Sequence, residues 1–224
     1  MTTTQVRQGV STRSAVPVGI ALIVAELLLA YLWYPWVVEH LVFQDRLPFE
    51  VLRLLIVVPE YLLLAVAVVL TGLSRARRLG GLSCAALAAL VAWGNSILLA
   101  HLASTRLDLA RHHDLLKLTN DSTLILVPTL GALAWGLARR QGGLWLLAVP
   151  VAPALHWWLQ HTDWTFRVQQ HVDFRGSEAI GMAFVIVPVL LAILAGWVLE
   201  QVAAPRSAAP SPTTYDEGPP PRLR

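Results

Sequence analysis

The sequence predicts an all-α, polytopic membrane protein, a bundle of six transmembrane helices. Of the 224 residues, 56% are hydrophobic and only 14% are charged, whereas a soluble domain carries about 25% charged residues. Six apolar runs also reach or approach the roughly 20 residues that a helix needs to cross a bilayer. These runs are residues 15–38, 51–70, 82–102, 122–138, 144–159 and 179–199. No polar stretch between them is long enough to form a soluble domain.

The runs divide the chain into three parts. Residues 1–14 form a predicted cytoplasmic N-terminal segment, and the first run is too long for the apolar core of a signal peptide. Residues 15–202 form the six-helix domain, in which the short fourth and fifth runs are predicted to make a tight helical hairpin around 139–143. Residues 203–224, rich in Ala, Pro, Ser and Thr, are predicted to be a disordered cytoplasmic tail.

The orientation follows from the basic residues, which favour cytoplasmic loops. One face carries ten arginines in short turns that are nearly free of acids: Arg7, Arg13, Arg75, Arg77, Arg78, Arg139, Arg140, Arg206, Arg222 and Arg224. The other face carries seven basic residues offset by nine carboxylates. The first face is therefore predicted to be cytoplasmic, in the plasma (inner) membrane of a bacterium, with both termini inside. This bias accounts for the net charge of +3 without nucleic acid as a partner.

The outer loops are predicted to be structured. Residues 107–118 form an expected interfacial helix, opened by a capping pair at Thr105 and Asp108. Residues 119–122 are predicted to cap the fourth span. Residues 164–175 permit a β-hairpin in which Arg167 pairs with Asp173, with a helical turn or an irregular loop as the alternatives.

All seven histidines lie at or beyond the outer ends of the runs: His40, His101, His112, His113, His156, His161 and His171. Imidazoles and carboxylates in one basin are the chemistry of a metal site, a proton gate or a pH sensor. His156 and Asp163 share one face of the fifth run, and Trp157 and His161 share another. Since no chelating spacing is present, no metal ligands are assigned. The alternative is an aromatic belt at the membrane interface.

Two acids lie near the middle of the first two spans, where a charge costs about 3 kcal/mol on insertion scales. Glu26, Trp33 and His40 recur every seven residues on one face of the first span, and Arg53 and Glu60 share a face of the second. Such acids need a partner, a water-filled cavity or a proton.

A proline stands directly before the second acid. Pro59 has no N–H and leaves the carbonyl of Leu55 without a helical partner. Asn95 is at a similar depth in the third span, so we expect Glu26, Glu60 and Asn95 to converge. The alternative is that these groups only hold helices together. Prolines inside later spans indicate either a cavity or kinks without function.

Three classes of function stay open. The first is a small transporter, channel or sensor subunit, in which the outer histidines and carboxylates lead to Glu26 and Glu60. The second is a membrane-embedded enzyme acting on a lipid or isoprenoid, such as a terpene cyclase, with Glu26 or Glu60 as general acid in an aromatic pocket. The third is a structural accessory subunit of a larger membrane complex. The sequence identifies no cofactor, and the expected partners are membrane lipid and a small-molecule or lipid substrate.

Overall fold

The computed structural model describes residues 12–42, 47–104, 109–140, 143–162, 167–168 and 170–203. Throughout these residues the regular structure is helical. A π-helical turn, Val38–Val42, extends the first helix, and a 3₁₀ turn, Leu144–Ala148, precedes the fifth. The α-helices whose bounds lie in the described residues are α1 Thr12–Val37, α2 Phe49–Thr71, α3 Arg75–Ser104, α4 Leu109–Arg139, α5 Val151–Gln160 and α6 Phe174–Ala203.

Five of these helices, all except α5, are long and apolar enough to cross a membrane. The fifth predicted run is not one helix. Pro150 stands between the 3₁₀ turn and α5, and a proline cannot donate the hydrogen bond that would continue a helix through it. The 10 residues of α5 are about 15 Å long. The described residues thus contain five helices of sufficient length and one broken segment, and the predicted count of six spans stays a prediction.

Consecutive helices pack against one another from α1 to α6, and α6 returns to pack against α1. Inside this ring, α4 also contacts α2 and α6. Three apolar clusters hold the helices together. One joins α1 to α2 around Val37, and a second joins α2, α3 and α4 around Val68. The third packs Trp145 between α4 and α6.

The prediction that an interfacial helix at 107–118 ends before the fourth span begins is wrong. Helix α4 runs without interruption from Leu109 to Arg139, so the expected interfacial helix and the fourth span are one helix. The hydroxyl groups of Thr119 and Thr123 donate to the carbonyls four residues earlier, at 2.8 and 2.9 Å. Those bonds satisfy the hydroxyls within the helix, so these residues do not form a cap. The predicted capping pair at Thr105 and Asp108 lies outside the described residues.

The predicted β-hairpin at 164–175 is also wrong where the structure describes it. Residues 167, 168, 170, 174 and 175 are helical, residues 171–173 connect them without a strand, and the N–H of His171 donates to the carbonyl of Val168, so the alternative of a helical turn describes this segment better. Asp173 does not pair across a hairpin, because its Oδ1 accepts the N–H of Gly176 at 2.8 Å, at the start of α6. Residues 163–166 and 169 lie outside the described part, as do residues 1–11 and 204–224 of the predicted terminal segments.

The outward faces of the five long helices are apolar. Each carries large side chains with exposed fractions between 46% and 60%, namely Leu28, Leu62, Leu90, Ile125 and Leu194. Soluble monomers seldom expose contiguous apolar surface on this scale.

Candidate functional site

Glu26 of α1 and Glu60 of α2 stand near the middle of their helices, close enough for their charges to interact. Both side chains are half-buried, and the charge of Glu60 acts on Glu26. The phenol of Tyr61, next along α2, is close enough to be affected by both carboxyls. We call Glu26 and Glu60 the glutamate pair.

An indole ties α1 to α2 beside this pair. Nε1 of Trp33 donates a hydrogen bond of 2.9 Å to the carbonyl oxygen of Leu55. This is the carbonyl that Pro59, four residues later, leaves without a helical donor. The bond therefore satisfies an acceptor that would otherwise have no partner where α1 and α2 meet.

Three stacked rings, those of Trp33, Trp36 and His40, lie in a row from α1 into the π-helical turn that extends it. The rings of Trp33 and Trp36 have centroids 5.4 Å apart, and those of Trp36 and His40 are 5.1 Å apart. Nδ1 of His40 lies 3.0 Å from the carbonyl oxygen of Trp36, and since a carbonyl only accepts, Nδ1 carries the proton. His40 is exposed. Trp33 and His40 of the predicted face are thus connected through Trp36.

The same Trp-x-x-x-His arrangement recurs at the end of α5. The rings of Trp157 and His161 stack at 4.2 Å, and Nδ1 of His161 donates to the carbonyl of Trp157 at 2.8 Å. Nδ1 of His171 donates in the same way to the carbonyl of Arg167. These exposed histidines satisfy carbonyls near helix ends. Within the described residues, no group of three or more His, Cys, Asp or Glu side chains is placed to hold a metal ion.

His156 differs from the other described histidines because its side chain is only 4% exposed. Its Nδ1 donates to the carbonyl oxygen of Phe184 at 2.8 Å. Phe184 stands four residues before Pro188, so this is a second carbonyl whose helical donor a proline has removed. The imidazole fastens α5 to α6 and does not close the outer end of a helix. Counting four residues back from each proline would have indicated both acceptors.

The other predicted site residues are dispersed. The guanidinium of Arg53 lies 5.0 Å from the ring centroid of Phe49, and His101 is exposed near the end of α3. Oδ1 of Asn95 is buried, and within the described residues it has no hydrogen-bond partner. The place of Asn95 beside the glutamate pair stays a prediction. Asp163 and the side chains of His112 and His113 lie outside the described part.

Sequence reasoning missed a network of arginines at one end of the bundle. Arg139 donates to the carbonyl of Thr71 at 2.8 Å, and Arg78 donates to that of Gly72 at 3.0 Å. Arg77 donates to the carbonyl of Arg140. The terminal carbonyls of a helix have no partner within it, and basic side chains are suited to satisfy them. The signal was available in the glycine that ends α2 and the arginines that end α4.

The network continues to α6. Arg140 forms an ion pair of 3.2 Å with Glu200 and donates to the carbonyl of Ile193 at 3.4 Å. The ends of α2, α4 and α6 and the start of α3 therefore meet at one end of the bundle. We call this the arginine end, defined by Arg75, Arg77, Arg78, Arg139 and Arg140. An exposed ion pair of 3.5 Å between Glu39 and Arg175 marks the opposite end.

A narrow recess lies between α4 and α6 near the arginine end. It is lined by Trp135, Trp145, Arg140 and small residues. The ring of Trp145 fills the space above Gly136, where a Cβ atom would overlap it, and the Cβ and backbone atoms of Trp145 lie against Gly196. Neither member of the glutamate pair lines this recess.

Comparisons of the chain with family models, curated proteins and solved structures find no match.

Proposed function

We propose that the chain is an integral protein of the bacterial plasma membrane with six crossings and both termini in the cytoplasm. The exposed leucines of the long helices support insertion, because lipid would cover them. The sixth crossing is the broken segment formed by the 3₁₀ turn and α5. Trp145 contacts Gly196 and His156 contacts Phe184. These two contacts lie 12 residues apart on α6, which is about 18 Å along its axis.

Within this bundle, the glutamate pair is the proposed functional centre of a small transporter, channel or sensor subunit whose substrate is the proton. The observation that carries this proposal is the approach of Glu26 to Glu60. Two neighbouring carboxylates in a medium of low polarity repel each other and lose hydration. A proton held between them removes the repulsion and reduces the charge of the pair from −2 to −1, so less charge loses its hydration. The pair would then bind and release a proton as its surroundings change.

The expected access is from the opposite end to the arginines. His40 is the exposed titratable group at the end of the ring row that begins at Trp33. It stands next to Glu39, which pairs with Arg175. We therefore expect His40 to be the group that meets solvent on that side.

The test is proton movement into sealed vesicles that contain the protein and a pH-sensitive dye. Under an imposed membrane potential, we expect acidification that falls in Glu26→Gln and in Glu60→Gln. The matched control is Glu50→Gln, an exposed acid at the start of α2. An undiminished flux in both pair variants would contradict a transport role for the pair.

An accessory subunit is the second candidate, because two observations favour structural use of polar groups. The bonds from Trp33 to Leu55 and from His156 to Phe184 tie helices together without any further chemistry. This candidate predicts that Glu26→Gln and Glu60→Gln change neither proton movement nor proton binding. The enzyme hypothesis draws no support from the aromatic recess between α4 and α6, because no acid is among the residues that line it.

A further inference from the structure

The arginine end carries more positive charge than its structural bonds require. Among its described residues, five arginines stand beside a single carboxylate, Glu200, which is paired with Arg140. Arg75 and Arg78 are exposed. Arg75 has no bonding partner among the described residues, and Arg78 uses only its Nε, on the carbonyl of Gly72.

These two side chains are positioned to bind one anion together. They are three residues apart in the first turn of α3, and residues at that spacing are neighbours on a helix surface. The bond to Gly72 fixes the guanidinium of Arg78 and leaves its two terminal nitrogens for an acceptor. A phosphate accepts such a pair of parallel N–H donors well.

The surface that continues from Arg75 along α3 carries exposed leucines. Leu79 follows Arg75 by four residues and is 58% exposed, and Leu90, on the same side of the helix, is 60% exposed. From Arg75 to Leu90 this surface runs for about 22 Å, which exceeds the roughly 15 Å of hydrocarbon in one leaflet. A charged end followed by an apolar strip of this length matches a phospholipid molecule.

We propose that Arg75 and Arg78 bind the phosphate of an anionic phospholipid whose acyl chain lies along Leu79 and Leu90. This proposal rests on the proposed membrane insertion and is independent of any role for the glutamate pair. Basic side chains at the cytoplasmic surface are attracted to anionic lipid, each contributing on the order of 1 kcal/mol. That energy corresponds to about fivefold in affinity per arginine.

The test uses the full chain purified in detergent with an equimolar mixture of phosphatidylglycerol and phosphatidylcholine, followed by native mass spectrometry of the retained lipids. The wild type should retain phosphatidylglycerol preferentially. The preference should fall by about fivefold in Arg75→Gln and further in the double variant with Arg78→Gln. Because Arg75 makes no structural bond, its single variant reports on lipid even if Arg78→Gln perturbs folding. Arg175→Gln at the opposite end is the matched control and should retain the preference.

Three results would overturn the proposal. The preference could be unchanged in Arg75→Gln, it could fall equally in Arg175→Gln, or inorganic phosphate at the lipid concentration could displace the phosphatidylglycerol. The last result would assign the site to a free anion. Failure of membrane insertion is distinguishable, because the chain would then stay in the soluble fraction of lysed cells without detergent.

Discussion

The indole nitrogen of Trp33 donates a hydrogen bond to the carbonyl oxygen of Leu55, the acceptor that Pro59 leaves without a helical donor. His156 does the same for Phe184, four residues before Pro188. In both places a proline removes the helical donor of one carbonyl, and a ring N–H from a neighbouring helix donates to that carbonyl instead. Where no water is at hand, an acceptor left unpaired is costly, so each bond should tie its two helices together.

Trp33→Phe keeps an aromatic ring but removes the donor, and we expect it to destabilise the protein by about 1 kcal/mol. In a Pro59→Ala background, the introduced alanine supplies the missing N–H within α2, so the same change should cost less. Unfolding of the four proteins in mixed micelles measures this coupling. Equal costs in both backgrounds would show that the indole bond does not compensate for the proline.

His156→Phe should destabilise the contact between α5 and α6 by a similar amount, because it leaves the carbonyl of Phe184 without a donor. The cost should be reduced in Pro188→Ala. His161→Phe is the control, since that imidazole is exposed and bonds only within its own helix end. Thermal unfolding in detergent checks the prediction, and a larger loss in His161→Phe than in His156→Phe would refute it.

Gly136→Ala should destabilise the protein by about 1–3 kcal/mol, the usual cost of overpacking, because the added methyl group overlaps the ring of Trp145. A second change, Trp145→Leu, should recover part of that loss. Gly94→Ala on α3 is the matched control: nothing lies within 4 Å of its added Cβ, and alanine is favoured over glycine within a helix. The measurement is the free energy of unfolding of each variant in detergent. Equal losses of stability in Gly136→Ala and Gly94→Ala would contradict the close packing of Trp145 on Gly136.

Arg140→Gln should leave Glu200 without its cation and destabilise the junction of α4 and α6. Since both side chains are about 20% exposed or less, the remaining charge is poorly hydrated, and removing one partner of such a pair is costly. Glu200→Gln in the same chain should restore part of the stability. A double-mutant cycle by thermal unfolding provides the test, with additivity of the two changes as the contrary outcome.

The sequence was sufficient for features that depend on composition and spacing. The five long helices follow from apolar runs, and the acceptor at Leu55 follows from the position of Pro59. The sequence was insufficient for features that depend on which groups of a neighbouring helix a side chain meets. Helix α4 continues through Thr119 and Thr123, whose hydroxyls bond to carbonyls of their own helix, an arrangement that a capping pattern cannot reveal. The buried His156 bonds to the carbonyl of Phe184, which Pro188 leaves without a helical donor on α6. The sequence pattern of the arginines indicates topology but not their bonds to helix ends.

The central claim is that Glu26 and Glu60 share one proton, and infrared spectroscopy of the protein in lipid at neutral pH tests it most directly. The wild type should show the carbonyl stretch of one protonated carboxyl group. Glu26→Gln and Glu60→Gln should each change that band, and the double variant should abolish it, whereas Glu50→Gln should leave it intact. A band that persists unchanged in the double variant, or that is absent from the wild type, would contradict the claim.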